Sequence, residues 1–153
     1  MTETDQDPLC LENQLCFAVY TLSRVMTQNY RPLLADMQLT YPQYLVLLVL
    51  WHRDNVSLKA ISEKLMLDCG TLTPIMKRLQ DRGYVTKSRP PGNEREIRIA
   101  LTESGRALKE QAKTMSEHML LAGKMEEDQA NQLRSQLMKL LYQFRTPSPD
   151  KKI

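Results

Sequence analysis

The sequence predicts a mainly α-helical chain with a small β-wing: a winged helix-turn-helix with N- and C-terminal dimerisation helices. Three observations carry that prediction. Residues 67–105, LDCGTLTPIMKRLQDRGYVTKSRPPGNEREIRIALTESG, read as a basic helix, a glycine stop and two strands around a proline- and charge-tipped hairpin. That order is the one that lays a single helix in the major groove of DNA. The charge agrees: from Lys77 to Arg98 there are seven basic residues against three acidic ones, in a chain whose net charge is +3. The positive field is therefore concentrated in one segment, as phosphate neutralisation requires. Before and after it, apolar residues recur at helical spacing on faces too broad for so small a module to cover.

Each element has its own signal. Leu15, Val19, Leu22 and Met26 recur at intervals of 4, 3 and 4 residues, one stripe of a helix over 11–34. Arg31-Pro32 is expected near its end, because the residue before a proline is pushed out of helical geometry. Thr40 and Gln43 match a capping box opening the apolar run YLVLLVLWH, a buried central helix. Ser57 can cap a short helix through Leu58, Ile61 and Leu65. The turn MLDCG leads to a helix that begins between Asp68 and Thr71, since Pro74 is tolerated only near a helix start, and that stops at Gly83. Its buried face is Leu72, Ile75, Met76 and Leu79. Tyr84 to Arg89 reads as a strand, Pro90-Pro91-Gly92-Asn93 as a turn, and Ile97, Ile99 and Leu101 as a half-buried strand. Thr102 should cap one long helix with Leu108, Ala112, Met115 and Met119 on one face. A last helix carries Leu133, Leu137, Leu140, Leu141 and Phe144.

Composition sets bounds. With 153 residues, 42% hydrophobic and 25% charged, the chain fits one globular domain with extensions. No apolar run approaches the roughly 20 residues that span a membrane, and MTETDQDP lacks a signal-peptide pattern, which points to the cytoplasm. Three cysteines without framework spacing suit reduced thiols. Two isolated histidines and no Cys-x-x-Cys pair argue against a metal site, and nothing calls for a cofactor.

The residues expected to meet DNA follow from the helix and the hairpin. Thr71 and Thr73 near the helix start would face base edges, and Lys77 and Arg78 further along would face phosphates. Arg95 at the hairpin tip is the candidate minor-groove probe. The bland alternative is a solvated amphipathic helix, but it leaves the basic hairpin unexplained. Cys16, in LENQLCFAVYTLSR, reads by itself as an inert core residue. A reactive thiol needs exposure and hydrogen-bond donors, and Tyr20 and Tyr30 on the same helix are the donors in sequence reach.

Taken in order, ENQLCF, SR, Y-x-PLL, LTYPQY, LVLLVLW, LDxGTLTP, KRL, G-x-V, ER and LTxxG resemble the organic-hydroperoxide-sensing repressors of the MarR family, almost continuously from Leu11 to Gly105. The resemblance implies a homodimeric winged-helix repressor that leaves a pseudo-palindromic operator in double-stranded DNA when one N-terminal cysteine is oxidised. It places the sensing cysteine at Cys16. It places the tyrosines that hydrogen-bond that cysteine across the dimer at Tyr30 and Tyr41. Three departures stand out. Relatives carry a small hydroxyl residue where this chain has Cys69, at the DNA end of the recognition helix. Relatives carry Asp-x-Arg at the wing, where this chain has Asn93-Glu94-Arg95. No cysteine follows Cys69, so resolution by a late-helix thiol is closed.

The division expected is a flexible arm (1–10), an N-terminal sensing and dimerisation helix region (11–40), the winged helix-turn-helix (41–102), C-terminal dimerisation helices (103–145) and a disordered tail (146–153). The expected function is a DNA-binding repressor, not an enzyme, that senses organic hydroperoxides through Cys16, Tyr30 and Tyr41. It would hold DNA through Cys69, Thr71, Thr73, Lys77, Arg78, Arg89 and Arg95. The rivals are a MarR-type repressor released by a small aromatic or phenolic ligand, a thiol-dependent peroxidase, and a helical interaction module without DNA.

Overall fold

The computed structural model describes residues 7–146. Helix α1 spans Leu15–Ala35, α2 Tyr41–His52, α3 Leu58–Leu65, α4 Cys69–Asp81, α5 Glu103–Ala112, α6 Met115–Ala122 and α7 Glu127–Arg145. Strands β1 (Val56–Ser57), β2 (Val85–Ser88) and β3 (Arg98–Leu101) form one antiparallel sheet in the order β1-β3-β2. Its register pairs Val56 with Ile99, and Val85 with Leu101. Contacts divide the chain into a unit ending at Met115 and a second one beginning at Ser116.

The core of the first unit collects Leu34 of α1 and Met37 just after it, Val46, Leu47 and Leu50 of α2, Ile61 of α3, Leu72, Met76 and Leu79 of α4, and Ile99 of β3. Helix α2 runs through its middle. The Gln43 side chain, buried among these apolar groups, accepts the Thr40 N–H at 2.9 Å and so returns the second half of the predicted capping box. Ser57 caps α3 through the Ala60 N–H at 3.0 Å, and Thr102 caps α5 through the Gly105 N–H at 3.0 Å. Gly83, at φ +73, ends the α4 segment in a conformation that an L side chain rarely adopts.

Two expectations need correction, and one element was unforeseen. The first helix begins at Leu15, because Leu11–Asn13 is a separate 3-10 turn. It continues past Pro32 to Ala35, which leaves Arg31-Pro32 near its end as expected. Pro32 forfeits one N–H bond to the Gln28 carbonyl, but the helix keeps Leu34 fully buried. Burial of one such side chain is worth about 1.5–3 kcal/mol. The helix capped by Thr102 is two helices, broken at Lys113 and Thr114. The two-residue strand β1 was not expected at all. In the expected N-terminal arm, residues 8 and 9 form a turn in which the Leu9 N–H donates to Asp7 Oδ1 at 2.8 Å, and the Gln14 amide donates to the Pro8 carbonyl. Residues 1–6 and 147–153, which hold the rest of the arm and nearly all of the expected tail, lie outside the described residues.

The apolar stripe of α1 does not enter this core. Leu15, Val19, Leu22 and Met26 are exposed, and so are Leu133, Leu137, Leu141 and Phe144 of α7. No helix among the described residues is long and apolar enough to cross a membrane.

Candidate functional site

Helices α3 and α4 make the helix-turn-helix, joined through Met66 in the left-handed conformation (φ 55). Asp68 is the N-cap of α4. Its Oδ1 accepts the Thr71 N–H at 2.8 Å and its Oδ2 accepts the Thr71 hydroxyl at 2.7 Å. These bonds, the hydroxyl first, hold the Asp68 carboxyl below the usual carboxylate range. The Thr73 hydroxyl donates back to the Cys69 carbonyl at 2.7 Å. Both threonine protons are therefore committed within the protein. What the two exposed side chains offer outward is a lone pair and a methyl group. That pair suits the amino groups of adenine or cytosine and the methyl of thymine. Cys69 is exposed on the first residue of α4, with Sγ 4.0 Å from Ser62 Oγ. Lys77 and Arg78 are exposed further along, while Leu72, Met76 and Leu79 are buried and Ile75 is half-buried, as the helical spacing required.

The wing is braced from inside. Arg89 Nη1 donates to the Glu94 carbonyl across the turn. Arg98 pairs with Glu96 at 2.7 Å and reaches Asn55 Oδ1 at 3.2 Å, tying the wing to the turn between α2 and β1. Asn93 turns its amide to Glu96 at 3.2 Å rather than to Arg95. Arg95 is exposed at the tip and makes no hydrogen bond or ion pair among the described residues.

Cys16 is exposed on the second residue of α1. The α1 N-cap, Gln14, makes no side-chain capping bond. The N–H groups of the first turn therefore have no partner within the helix. Tyr30 and Tyr41 stack with ring centroids 4.8 Å apart, and Tyr44 joins them at 5.8 Å from Tyr30. Burial, reinforced by repulsion from the Tyr41 and Tyr44 phenols, pushes Tyr30 up to about 12. Burial raises Tyr41 as well. Both phenols stay protonated at neutral pH and remain donors. Neither hydroxyl donates to any group of the described residues. Cys16 and Tyr30 lie fourteen positions apart on one helix, about 21 Å at 1.5 Å per residue. Within one α1 helix the two side chains therefore do not meet.

Sequence reasoning missed Asp68, Tyr44 and Arg98. Tyr44 was legible at three residues from Tyr41 in YPQY. Asp68 was legible too, as an N-cap three residues before Thr71, the spacing of Ser57 and Thr102; the bonds of Arg98 to Asn55 depend on turn geometry that no spacing encodes.

A family model described as transcriptional regulator SarA/Rot matches residues 28–112, more than half of the chain. The organic hydroperoxide resistance transcriptional regulator of Bacillus subtilis (strain 168) is 45% identical over 139 residues, which cover 91% of this chain and 95% of that protein. The chain belongs to the MarR family of transcriptional regulators. Within the MarR family it is also similar to the regulator SarZ of Staphylococcus saprophyticus, 38% identical over 127 residues, covering 83% of this chain and 87% of SarZ. Among solved structures it resembles AbfR of Staphylococcus epidermidis in its reduced form on DNA. That match has 33% identity and a TM-score of 0.74, and covers 93% of this chain and 99% of AbfR. Overoxidised AbfR on DNA gives 34% identity and 0.73, covering 92% and 98%. The disulfide-formed AbfR, at the same 33% identity, gives 0.60.

Proposed function

We propose that the chain is a homodimeric repressor that holds operator DNA while Cys16 is reduced and releases it when an organic hydroperoxide oxidises Cys16. The observation that carries this reading is the separation of Cys16 from its donors. An exposed thiol at an uncapped helix start and two neutral phenols without partners sit too far apart to meet in one chain. In an antiparallel pairing of two α1 helices, each Cys16 would arrive at the other chain's Tyr30 and Tyr41. The exposed stripe of α1 and that of α7 supply the apolar surface for such a pairing. The similarity to the Bacillus subtilis regulator and to AbfR supports it.

The chemistry is a two-electron step. The Cys16 thiolate sulfur attacks the distal peroxide oxygen. An S–O bond forms, the O–O bond breaks, and the leaving alkoxide takes a proton to become an alcohol. The sulfur becomes a sulfenic acid. Hydrogen bonds that Tyr30 and Tyr41 made to an anion are then lost, and the helices that space the two recognition helices shift.

On DNA, α4 enters the major groove with Cys69, Thr71 and Thr73 toward the bases, and Lys77 and Arg78 toward phosphates. Arg95 reaches the flanking minor groove, and Arg89 holds the wing that presents it. Cys69 serves as a small isostere of the hydroxyl residue of relatives. The test is duplex binding before and after one equivalent of an organic hydroperoxide, with and without dithiothreitol. Reversible loss of binding supports the reading. Binding indifferent to oxidation would replace it with a ligand-released repressor, and steady peroxide turnover without DNA binding would replace it with a peroxidase.

A further inference from the structure

The Asp68 carboxylate does more than open α4. Its Oδ1 takes the Thr71 N–H at 2.8 Å, the ordinary task of an N-cap. Its Oδ2 takes the Thr71 hydroxyl at 2.7 Å. The bonds from Thr71 hold the carboxyl low, so it is ionised at neutral pH and has no proton to give. The hydroxyl is therefore the donor. Gly70 leaves the carboxylate its place, because a Cβ there would stand 3.0 Å from Oδ1. Thr71 is exposed on the first turn of α4, and its Oγ1 has only lone pairs left to offer outward. Thr73 also gives its proton away, but to the Cys69 carbonyl of the helix itself. The two hydroxyls thus share one polarity, and only that of Thr71 depends on another side chain.

We propose that Asp68 is a specificity-determining residue that acts through Thr71: it turns the hydroxyl proton inward and so selects base pairs that place an adenine or cytosine amino group opposite Oγ1. In the major groove those amino groups are donors, whereas guanine O6 and thymine O4 are acceptors. Inverting a base pair exchanges donor for acceptor and sets lone pair against lone pair. A threonine hydroxyl without Asp68 can rotate to donate or to accept, and discriminates little. The carboxylate also brings a negative charge near the phosphates, which weakens binding to every duplex alike. Asp68 therefore lowers affinity in general while raising the difference between sequences. The inference rests on α4 lying in the major groove with Thr71 toward the bases, and the experiment separates the two.

The reduced full-length protein selects from a pool of duplexes randomised over about two helical turns. Bound sequences are counted for the wild type, Asp68→Asn, Thr71→Val and the double variant. Asparagine caps a helix as well as aspartate. Its carbonyl can keep the Thr71 N–H, while its amide cannot take the hydroxyl proton. The expected wild-type result is one position in each half-site where the amino-bearing pair exceeds its inversion about tenfold, the worth of one hydrogen bond. In Asp68→Asn that ratio should fall to about twofold or less, while other positions keep theirs. Asp68→Ser, which caps the helix but is too short to reach the hydroxyl, should give the same loss. Thr71→Val keeps the shape without the oxygen and should also lose the ratio, and adding Asp68→Asn to it should change nothing further there. Affinity for all duplexes should rise as the charge is removed, so the ratio is what decides. An unchanged ratio in Asp68→Asn, or an equal change in the Thr71→Val background, overturns the proposal. So does a wild type that prefers the inverted pair at the position altered by Thr71→Val. If the wild type enriches no sequence, α4 does not read bases, and that reading fails together with the proposal.

Discussion

At Cys16 the thiol stands on the first turn of α1, exposed, beside backbone donors that no cap has claimed. From sequence alone, a cysteine among Leu15, Phe17 and Val19 reads as buried. The structure exposes all three neighbours, because the stripe they form has no partner among the described residues. Cys16→Ser should fold and bind DNA as the wild type does and should no longer respond to peroxide. Release of the serine variant by organic hydroperoxide would move the sensor to Cys10 or Cys69. The tyrosines test activation. A donor to a charged acceptor is worth about 1.5–3 kcal/mol, so Tyr30→Phe or Tyr41→Phe should slow alkylation and oxidation of Cys16 about tenfold or more. DNA binding by the reduced forms should change less. Alkylation rates followed across pH decide it, and superimposable profiles would remove these phenols from the site. At this scale the sequence motif singled out candidate residues, while their bonding was hidden. Arg89 reads as one more phosphate ligand, yet its guanidinium is engaged with the Glu94 carbonyl. Asn93 reads as a partner of Arg95, yet it turns to Glu96.

The helices of the DNA-reading module were legible wherever a cap or a burial period marked them. Thr40, Ser57 and Thr102 each open the helix they were expected to open. Where packing decided, the sequence was silent. No glycine or proline marks the break at Lys113 and Thr114, and two residues of β1 are too few to show alternation. Gly105 shows how tightly the α5 start meets the wing: a Cβ there would stand 2.1 Å from the Tyr84 carbonyl oxygen. Gly105→Ala should therefore destabilise the protein by about 1–3 kcal/mol, the usual range for overpacking, read as a lowered urea midpoint. An unchanged midpoint would mean that Tyr84 and α5 separate freely. Asp54 joins three elements, accepting from the Leu101 N–H at 2.8 Å and from Arg106 at 2.7 Å. Burial alone would raise its carboxyl, but the bonds from Leu101, Arg106 and the Asn55 N–H outweigh it and hold the group low. A carboxyl lowered in the fold stabilises it above the ordinary carboxylate range, and that contribution vanishes as pH falls through the lowered value. Asp54→Asn should thus lower stability at neutral pH and flatten its decline in acid. Parallel acid curves for variant and wild type would show that the clasp contributes nothing.

For the whole molecule, the positive field and the exposed stripes act together. A dimer presents two α4 helices and two wings, so binding should weaken steeply as salt releases the counterions of the contacted phosphates. Within that dependence, Lys77→Ala should weaken all duplexes alike and reduce the salt slope. Arg95→Ala should lose most at sites whose flanks have a narrow A·T minor groove. Equal losses for Arg95→Ala on narrow and wide flanks would take Arg95 out of the groove. Dimerisation was legible only as leftover apolar faces, because no single chain contains the surface that covers them. One bond in the first unit also gives the protein an optical reporter of its own. The chain has a single tryptophan. The Trp51 indole N–H, on the central helix, donates to the Gly105 carbonyl of α5 at 2.9 Å, with the Tyr44 ring edge-on to it at 6.1 Å. Any motion that draws α2 away from α5 breaks that bond and moves the indole relative to the tyrosine cluster. Emission from one native fluorophore can therefore time the rearrangement that follows oxidation, with no label attached.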